Sequence, residues 1–399
     1  MLNRRNLLKS GFAAGGMALT GPFQQSLIDQ ARAAGDNERI LVVFELSGGN
    51  DGLNTVVPYG DDNYYKLRPK IGIKPDEVLK LDEHWGMNPG LSGLHRLWND
   101  GDLAIVHGCG YERPSFSHFT SMAYWHTGSP NSGDEFGWYG RLADQMAPEG
   151  PSNFLVNVDT SQSLAVKSRL HTPVVFDEPD RFQRRTLAQE KDIIERVDQG
   201  PTGNPARDFL NAVSLGANEA SSLVRQAWSG YQTPVDYGLV DSQLPKIAAC
   251  ISAGFPARLY YLAFRNNAFD THVQQPNLHQ RLLTYAADSV HGFIRDLERL
   301  DLADRVVVMM FSEFGRRAGE NTNLGTDHGT ANVMMLAGKP VTGGHYGQAP
   351  DLTILDDTDN LVHTTDFRRV YATAIDGWLG LNVANTVLKG KFEPLPVFA

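Results

Sequence analysis

Short runs of consecutive apolar residues alternate along the chain with longer segments in which apolar positions recur at helical spacing. The four clearest runs are 40–44, 103–106, 259–264 and 306–311. Such uninterrupted runs are typical of strands buried on both faces of a parallel sheet. Helical spacing over 88–100 and 279–300 predicts amphipathic helices. The alternation predicts an α/β fold with a doubly wound, mainly parallel sheet and helices on both faces.

Weaker signals complete this pattern. Further strands are expected at 153–158, 172–176 and 332–337, and further helices at about 206–229, 241–254 and 366–379. Because a charged stretch and a Gly/Pro cluster interrupt residues 150–256, this range is interpreted as an insertion or cap on one α/β domain spanning 35–399. No Gly-rich dinucleotide or phosphate-binding loop follows the first strand, which disfavours both of those functions.

The N-terminus has the organisation of an export signal. Residues 3–9, which include Arg4 and Arg5, resemble the twin-arginine motif, an apolar stretch follows at 11–19, and Ala31-Arg32-Ala33 offers a cleavage site. We therefore expect residues 1–34 to be a signal peptide, the twin-arginine translocase to be a partner, and the mature protein to be periplasmic or secreted. No later apolar run reaches the ~18–20 residues needed to span a bilayer, so no stable membrane span is expected.

Composition excludes several classes of protein. The chain has 399 residues, of which 41% are hydrophobic, so it is long and apolar enough to form a large core. Its formal net charge is −10 and no dense Lys/Arg stripe occurs, which argues against a nucleic-acid partner. Cys109 and Cys250 are the only cysteines and are expected to be buried apolar residues. Two cysteines so far apart also exclude a cysteine-based zinc site.

Polar clusters follow several of the predicted strands, where parallel sheets collect their ligand groups. The candidate metal ligands in these clusters are Asp51, Asp270, His272, Glu313, Asp327 and His328. Carboxylates mixed with imidazoles suit zinc or manganese, whereas magnesium or calcium would use mainly oxygen. The set is large enough for one or two divalent ions. For each residue alone, a turn or helix cap is the alternative role.

The same segments resemble a family of bacterial proteins exported by the twin-arginine route, domain of unknown function 1501, within the alkaline phosphatase and sulfatase superfamily. The resemblance rests on 47–55, 117–119, 269–272, 311–316 and 325–329. It implies an alkaline phosphatase-like fold. It also implies metal ligands at Asp51, Asp270, His272 and His328, with His279 as a substitute or supporting partner. Glu313 stands where an Asp-His pair usually follows a strand, a departure that leaves the ligand count open.

The superfamily places its nucleophile at the start of a helix, and Ser117 resembles that position. Ser115 is the fallback, a shift of one residue puts His118 at the reacting position, and a capping role for Ser117 is the alternative. Arg316 is either a clamp for a phosphate or sulfate, which gives it a catalytic role, or a support for the Glu313 loop. The formylglycine motif of sulfatases is absent.

Together with these residues, the resemblance implies an exported metal-dependent hydrolase that acts on a phosphate or sulfate ester, either a small molecule or a glycan-linked anion. The alternative is a non-catalytic envelope or matrix protein that keeps the fold for binding or assembly. The missing Asp-His pair favours this alternative, so whether the chain is an enzyme is left open.

Overall fold

The described part of the chain is residues 38–148, 153–183 and 202–398 of a computed structural model. From Arg39 onward these residues belong to one compact unit. The predicted signal peptide, residues 1–34, lies outside the described residues.

A large sheet occupies the centre of this unit. Its strands are β1 (Ile40–Leu46), β5 (Leu103–Gly110), β6 (Leu155–Val158), β7 (Val174–Phe176), β8 (Leu259–Phe264), β9 (Val306–Phe311), β10 (Asn332–Ala337), β11 (Gly344–Gly347) and β12 (Thr365–Asp366). Their order is β11-β5-β10-β9-β1-β8-β6-β7, with β12 also paired to β5. All neighbours are parallel except β10, which runs antiparallel to both β5 and β9. A small second sheet contains β2 (Val56–Val57), β3 (Leu79–Lys80) and β4 (Gly86–Met87).

Helices cover both faces of the large sheet. They are α1 (Asp62–Leu67), α2 (Ser92–Asn99), α3 (His118–Thr127), α4 (Trp138–Met146), α5 (Pro205–Gly230), α6 (Leu244–Ser252), α7 (Gln275–Arg299), α8 (Arg368–Ala372), which continues as a π-helix over Thr373–Trp378, and α9 (Ala384–Val387). Single-turn 3₁₀ segments occur at Pro89–Leu91, Leu164–Val166, Pro179–Arg181 and Ala303–Arg305.

The central strand β1 is buried on both faces, which explains why polar and apolar residues do not alternate in its sequence. Val42 and Phe44 belong to one core with α2, α6 and α7, whereas Leu41 and Val43 belong to a second core with α3, α4 and α8. Successive side chains of a strand point to opposite faces, and both faces are covered here. The predicted α/β class, with a mainly parallel sheet and helices on both faces, is confirmed.

The range 150–256, for which the sequence predicts an insertion or cap, contributes directly to the large sheet. Within it, β6 pairs with β8 and β7 pairs with β6, both parallel. Helices α5 and α6 follow these strands and contact each other. Cys109 and Cys250 are both buried free thiols.

The strand order explains which loops meet. Strands β9, β1 and β8 are adjacent and parallel, so the loops that follow them emerge at one edge of the sheet. Because β10 is antiparallel, the loop that precedes it arrives at that same edge. Strand β5 also ends there, and its loop leads into α3. The described helices include none that is both long and apolar enough to cross a membrane.

The loop after β1 passes very close to the loop after β8, and Gly48 makes this approach feasible. Its φ is +121°, and an added Cβ would lie 2.6 Å from the Asp270 nitrogen and 2.7 Å from the Asn267 oxygen. These are backbone atoms, which cannot move aside as a flexible side chain does. Only glycine fits this position without displacing a loop.

We predict that Gly48→Ala strongly destabilises the protein. Gly101 provides a matched control, because its φ is +82° but no atom lies within 4 Å of the added Cβ. Gly101→Ala is expected to cost ~1–3 kcal/mol from its backbone conformation alone. Gly48→Ala should cost ~1–3 kcal/mol more because of overpacking. Urea denaturation measures both, and equal costs would contradict the proposed contact.

Candidate metal centre

Four side chains from two loops and one helix start meet at the carboxyl edge of the sheet. His118, Asp270 and His328 offer ligand atoms that all lie within 4.8 Å of one another. His272 joins them, because its Nε2 lies 3.0 Å from Asp270 Oδ1 and 2.9 Å from His328 Nε2. The structure therefore brings together three candidate metal ligands predicted from the sequence, Asp270, His272 and His328, and adds His118.

The opposite nitrogens of two of these rings are held by acceptors. His328 Nδ1 donates to the Phe116 carbonyl (2.7 Å), and His272 Nδ1 donates to Asp327 Oδ1 (3.1 Å). In the neutral rings this leaves both Nε2 atoms without a proton. His328 Nε2 lies 3.1 Å from Asp270 Oδ1, the oxygen that also faces His272. Lone pairs of two nitrogens and one oxygen thus point at a common position.

His118 has the same arrangement. Its Nδ1 donates to Glu313 Oε1 (2.8 Å) and its Nε2 lies 3.3 Å from Asp270 Oδ2, without hydrogen-bond geometry. Metal-binding histidines almost always donate their second ring N–H to a carboxylate or carbonyl, which fixes the tautomer and the orientation of the ring. Ligands of a tetrahedral zinc ion lie ~3.3 Å apart, given Zn–N distances of ~2.0–2.1 Å. The donor set and its supporting hydrogen bonds fit a divalent ion.

Without an ion, protons must offset the carboxylates of the cluster. The carboxylates of Asp270 and Glu313 raise the pKa of His118 to about 9, against a desolvation effect that lowers it. Burial by itself raises the pKa of Asp270, but its close polar contacts with His118, His328 and Arg316 bring it well below its ordinary value. His118 is therefore an imidazolium at neutral pH in the metal-free protein, and an ion that binds Nε2 must displace a proton.

Arg316, expected to be either an anion clamp or a support for the Glu313 loop, makes all of its contacts inside the protein. Its side chain is fully buried and donates to Asp270 Oδ1 at 2.7 Å. Its remaining contacts are the carbonyls of four loop residues, Gly48, Gly49, Phe269 and Thr326. Every guanidinium nitrogen is thus used inside the protein. This geometry fits the second interpretation, in which Arg316 supports the loops.

Glu313 was expected to be a metal ligand, and its position differs from that expectation. The carboxylate is fully buried and accepts hydrogen bonds from Gly48 N at 2.9 and 3.0 Å and from Ser312 Oγ at 3.0 Å. Its contact with the cluster is the hydrogen bond to His118 Nδ1. Glu313 orients a candidate ligand and does not itself face the common position.

Asp51 was also expected to bind metal, but it faces a different partner. Its fully buried carboxylate forms an ion pair with Arg68 Nη1 at 2.7 Å and accepts from Gln275 Nε2 at 2.5 Å. Burial raises the pKa of Asp51, whereas the charge of Arg68 lowers it, and the net shift is downward. The negative charge of Asp51 is already balanced by Arg68, which explains why it stays out of the cluster.

The two remaining ligand candidates support the cluster from outside. His279 is buried, contacts Asn50 Oδ1 through Nε2 at 2.8 Å, and has its pKa lowered to about 4 by desolvation. It lies away from the common position as a support for the loop after β1. Asp327 is half-exposed and orients His272 through Nδ1. In this geometry His279 contacts Asn50 and Asp327 contacts His272, rather than the common position itself.

The candidate nucleophile Ser117 is exposed and precedes α3. Its Oγ accepts from Thr120 N at 3.5 Å, so Ser117 is the N-cap of the helix whose first residue is His118. The fallback Ser115 accepts from Ser117 N at 3.3 Å. The capping role, which the sequence left as an alternative, is present.

Sequence reasoning missed three supporting residues. Arg68 and Gln275 hold Asp51, and the buried Phe314 ring packs against His118 and His328 with ring-centre distances of 4.9 and 4.6 Å. Arg68 lies in a polar segment with no strand or motif to mark it. Phe314 lies next to Glu313 in segment 311–316, so its position in the sequence could have indicated a role near the cluster.

Comparisons with known proteins agree with the expected family. Residues 257–386 match the family model described as "Protein of unknown function (DUF1501)". The expected family resemblance is confirmed. This match includes Asp270, His272, Glu313, Arg316 and His328. No curated protein matches the sequence.

Several solved structures are similar to this chain. A sulfatase from Pseudoalteromonas sp. is 12% identical, with 96% of this chain and 77% of that chain covered and a TM-score of 0.39. The phosphonate monoester hydrolase of Silicibacter pomeroyi is 10% identical over 89% and 75%, with a TM-score of 0.38. A protein in the alkaline phosphatase superfamily from Vibrio parahaemolyticus is 9% identical over 85% and 73%, with a TM-score of 0.37.

We predict that Arg68→Met destabilises the protein by ~3–5 kcal/mol, because it leaves the Asp51 carboxylate buried without its counter-charge. Arg68→Met combined with Asp51→Asn removes both charges and should recover a large part of this loss. Urea denaturation at pH 7 measures the free energy of unfolding of each variant. A single variant as stable as the wild type would contradict the assignment of this ion pair.

We also predict that Glu313→Gln lowers the pKa of His118 from about 9 toward its ordinary value of 6.5. NMR titration of the metal-free protein measures this shift. Since the folded-state pKa is raised, the stabilisation by His118 is fully present below pH 6.5 and is lost as the pH rises through about 9. Asp327→Asn, which alters the neighbouring His272 instead, is the control. A His118 pKa unchanged by Glu313→Gln would contradict the contact.

Proposed function

We propose that this protein is an exported metal-dependent hydrolase that cleaves a phosphate or sulfate ester. The observation that carries the proposal is the convergence of three imidazole Nε2 atoms on the Asp270 carboxylate, each ring being held through Nδ1 by an acceptor. An ion pair that only stabilises the fold would not need three histidine rings that all turn Nε2 toward one carboxylate. The match of residues 257–386 to the DUF1501 family model adds support, but this family model names no reaction.

The proposed ligands are His118, Asp270, His272 and His328. Three nitrogens and one oxygen favour zinc, with manganese as the second choice. One ion is proposed, because Asp51 and Glu313 are engaged by Arg68 and by the Gly48 amide. A divalent ion held by these residues would supply a Lewis acid that stabilises negative charge on the ester, and with four protein ligands it would have to accept the ester or hydroxyl oxygen as a fifth ligand.

The protein residues then orient the reactants. Ser117 is the proposed nucleophile, since it directly precedes His118 at the start of α3, where backbone N–H groups favour an anion. Its hydroxyl accepts a hydrogen bond from Thr120 N, so the O–H remains available as a donor. His118 releases the Nε2 proton when the ion binds. Asp327, Glu313 and the Phe116 carbonyl keep the three rings in place.

The proposed substrate is an anionic ester, either a small molecule or linked to a glycan, which the cationic centre attracts. The export signal predicted at residues 1–34 supports a periplasmic or secreted location reached with the twin-arginine translocase.

Metal analysis and an ester panel test the proposal. The purified protein is expected to retain about one equivalent of zinc or manganese and to hydrolyse an aryl phosphate, a phosphodiester or an aryl sulfate. Asp270→Ala and His328→Ala should weaken metal binding by more than ~100-fold and abolish hydrolysis. His95→Ala is the control, because His95 contacts Lys80 O on the small sheet and should change neither property.

Ser117→Ala should keep the metal and lose hydrolysis. Retention of full activity in this variant would remove Ser117 from the reaction. A protein that binds neither metal and cleaves no ester of the panel would contradict the proposal and favour the non-catalytic binding or assembly protein.

A further inference from the structure

A pocket lies between the large sheet and the small sheet. Its volume is about 70 Å³. Since one water molecule needs ~10–15 Å³, this is space for ~5–7 waters or for a ligand with a similar number of heavy atoms. The four proposed metal ligands are not among the residues that line it. Most of the wall is apolar, and its larger apolar side chains are Leu53, Val56, Trp85, Val333, Leu352 and Leu361.

The polar side chains in this wall are few, and they carry negative rather than positive charge. They belong to Asp61, His84, His107 and Asn332. The Asn332 amide is already used, because its Nδ2 donates to Phe314 O and its Oδ1 accepts from Val333 N, each at 2.8 Å. Among the described residues that line the pocket, Asp61 has the one carboxylate, and there is no lysine or arginine.

His107 is the buried polar group of the pocket, since only 4% of its surface is exposed. Its Nε2 lies 2.8 Å from His345 Nδ1. The other nitrogen of His345, Nε2, lies 3.3 Å from Asp82 Oδ2 without hydrogen-bond geometry. The nearby carboxylate favours the tautomer of His345 that has its proton on Nε2, so His345 Nδ1 accepts and His107 Nε2 donates. This tautomer chain leaves a lone pair on His107 Nδ1.

The lone pair on His107 Nδ1 is available to a ligand. Burial lowers the pKa of His107 to about 3, and the neighbouring His345 adds to this effect, so the ring is neutral at pH 7. The described part of the chain donates no hydrogen bond to Nδ1. The Trp85 indole packs against the ring, with ring centres 4.6 Å apart. A buried acceptor of this kind needs a donor from water or from a ligand.

The charges around the pocket decide which donor fits best. Burial alone raises the pKa of Asp82, but hydrogen bonds from the Trp85 and His84 amides bring it below its ordinary value, so Asp82 is negative at pH 7. An anionic ligand would be repelled by Asp61 and Asp82 and would face a lone pair at His107. An ammonium group has a positive charge, three donors and no acceptor. Charged donors also form hydrogen bonds about twice as strong as those of neutral donors.

We propose that this pocket is a binding site for a small organic ammonium ion with a short apolar chain. The ammonium group donates to His107 Nδ1 and is attracted by the Asp61 carboxylate, while the chain lies against Trp85 and the aliphatic part of the wall. The site takes a cation, whereas the candidate metal centre takes an anion. It therefore goes beyond the proposed function and does not depend on it.

Three ligands of the same chain length test the ligand class. The full-length protein is titrated at pH 7 with butylammonium, 1-butanol and butyrate, and NMR follows the Trp85 indole and the ring nitrogens of His107. Butylammonium should bind about tenfold more tightly than 1-butanol, as expected from a charged hydrogen bond in place of a neutral one, and butyrate should bind most weakly. The ligand-free spectrum should show His107 with its proton on Nε2.

Two variants and a matched control test the site. Asp61→Asn keeps the side-chain acceptor that caps α1 but removes the charge, and should weaken butylammonium binding about tenfold. His107→Leu removes the acceptor and should have a similar effect. Asp62→Asn makes the same change of charge at the next residue, which is exposed and does not line the pocket, and should leave the affinity within about twofold. If His107→Leu does not fold, Asp61→Asn decides.

Several results would overturn the proposal. These are equal binding of 1-butanol and butylammonium, tighter binding of butyrate, no binding of any of the three, or an affinity that Asp61→Asn leaves unchanged. Binding of butylammonium that requires added zinc would place the amine on the metal ion instead, and the proposal would again be wrong. The proposed hydrolysis is judged separately, by zinc content and by the ester panel.

Discussion

One buried guanidinium connects the loops on which the candidate site depends. Arg316 donates to the carbonyls of Gly48 and Gly49 after β1, Phe269 after β8 and Thr326 before β10. It also holds Asp270 Oδ1, the oxygen toward which His272 and His328 are turned. Because the parallel strands bring these loops to one edge but do not fix their conformations, this single side chain sets the position of the carboxylate at the centre.

The four carboxylates of this edge are one candidate ligand and three residues that orient or support the ligands. Asp51 is neutralised by Arg68, and Asp270 is contacted by Arg316 and three imidazoles. Glu313 is satisfied by the Gly48 amide, by Ser312 and by His118, and Asp327 by His272 and Asn321. Asp270 alone is surrounded by rings whose other nitrogens already donate elsewhere. This arrangement separates a candidate ligand from the carboxylates that orient or support the ligands.

The sequence predicted the buried strands well because β1, β8 and β9 are covered on both faces and therefore lack polar positions. It located the segment of β10, but its antiparallel direction depends on contacts with β5 and β9 that no local pattern records. Strand β11 has the sequence Gly-His-Tyr-Gly and forms by pairing with β5 rather than from an apolar run.

In the candidate site, too, local sequence patterns predicted some features, whereas others depend on tertiary contacts. Asp270, His272 and His328 could be predicted, since polar residues next to buried parallel strands meet at one edge. The roles of Asp51 and Arg316 could not, because their partners are set by tertiary contacts, Arg68 in one case and four loop carbonyls in the other. His118 was recognised as a residue near the reacting position, but its direction toward Asp270 depends on Glu313.

The most direct test of the metal centre is a crystal structure of the zinc-soaked protein with anomalous data collected at the zinc edge. We predict one anomalous peak surrounded by His118, Asp270, His272 and His328, with zinc-to-nitrogen distances of ~2.0–2.1 Å. A peak bound instead by Asp51 or Glu313, a pair of peaks ~3.5–4 Å apart, or no peak at this edge of the sheet would contradict it.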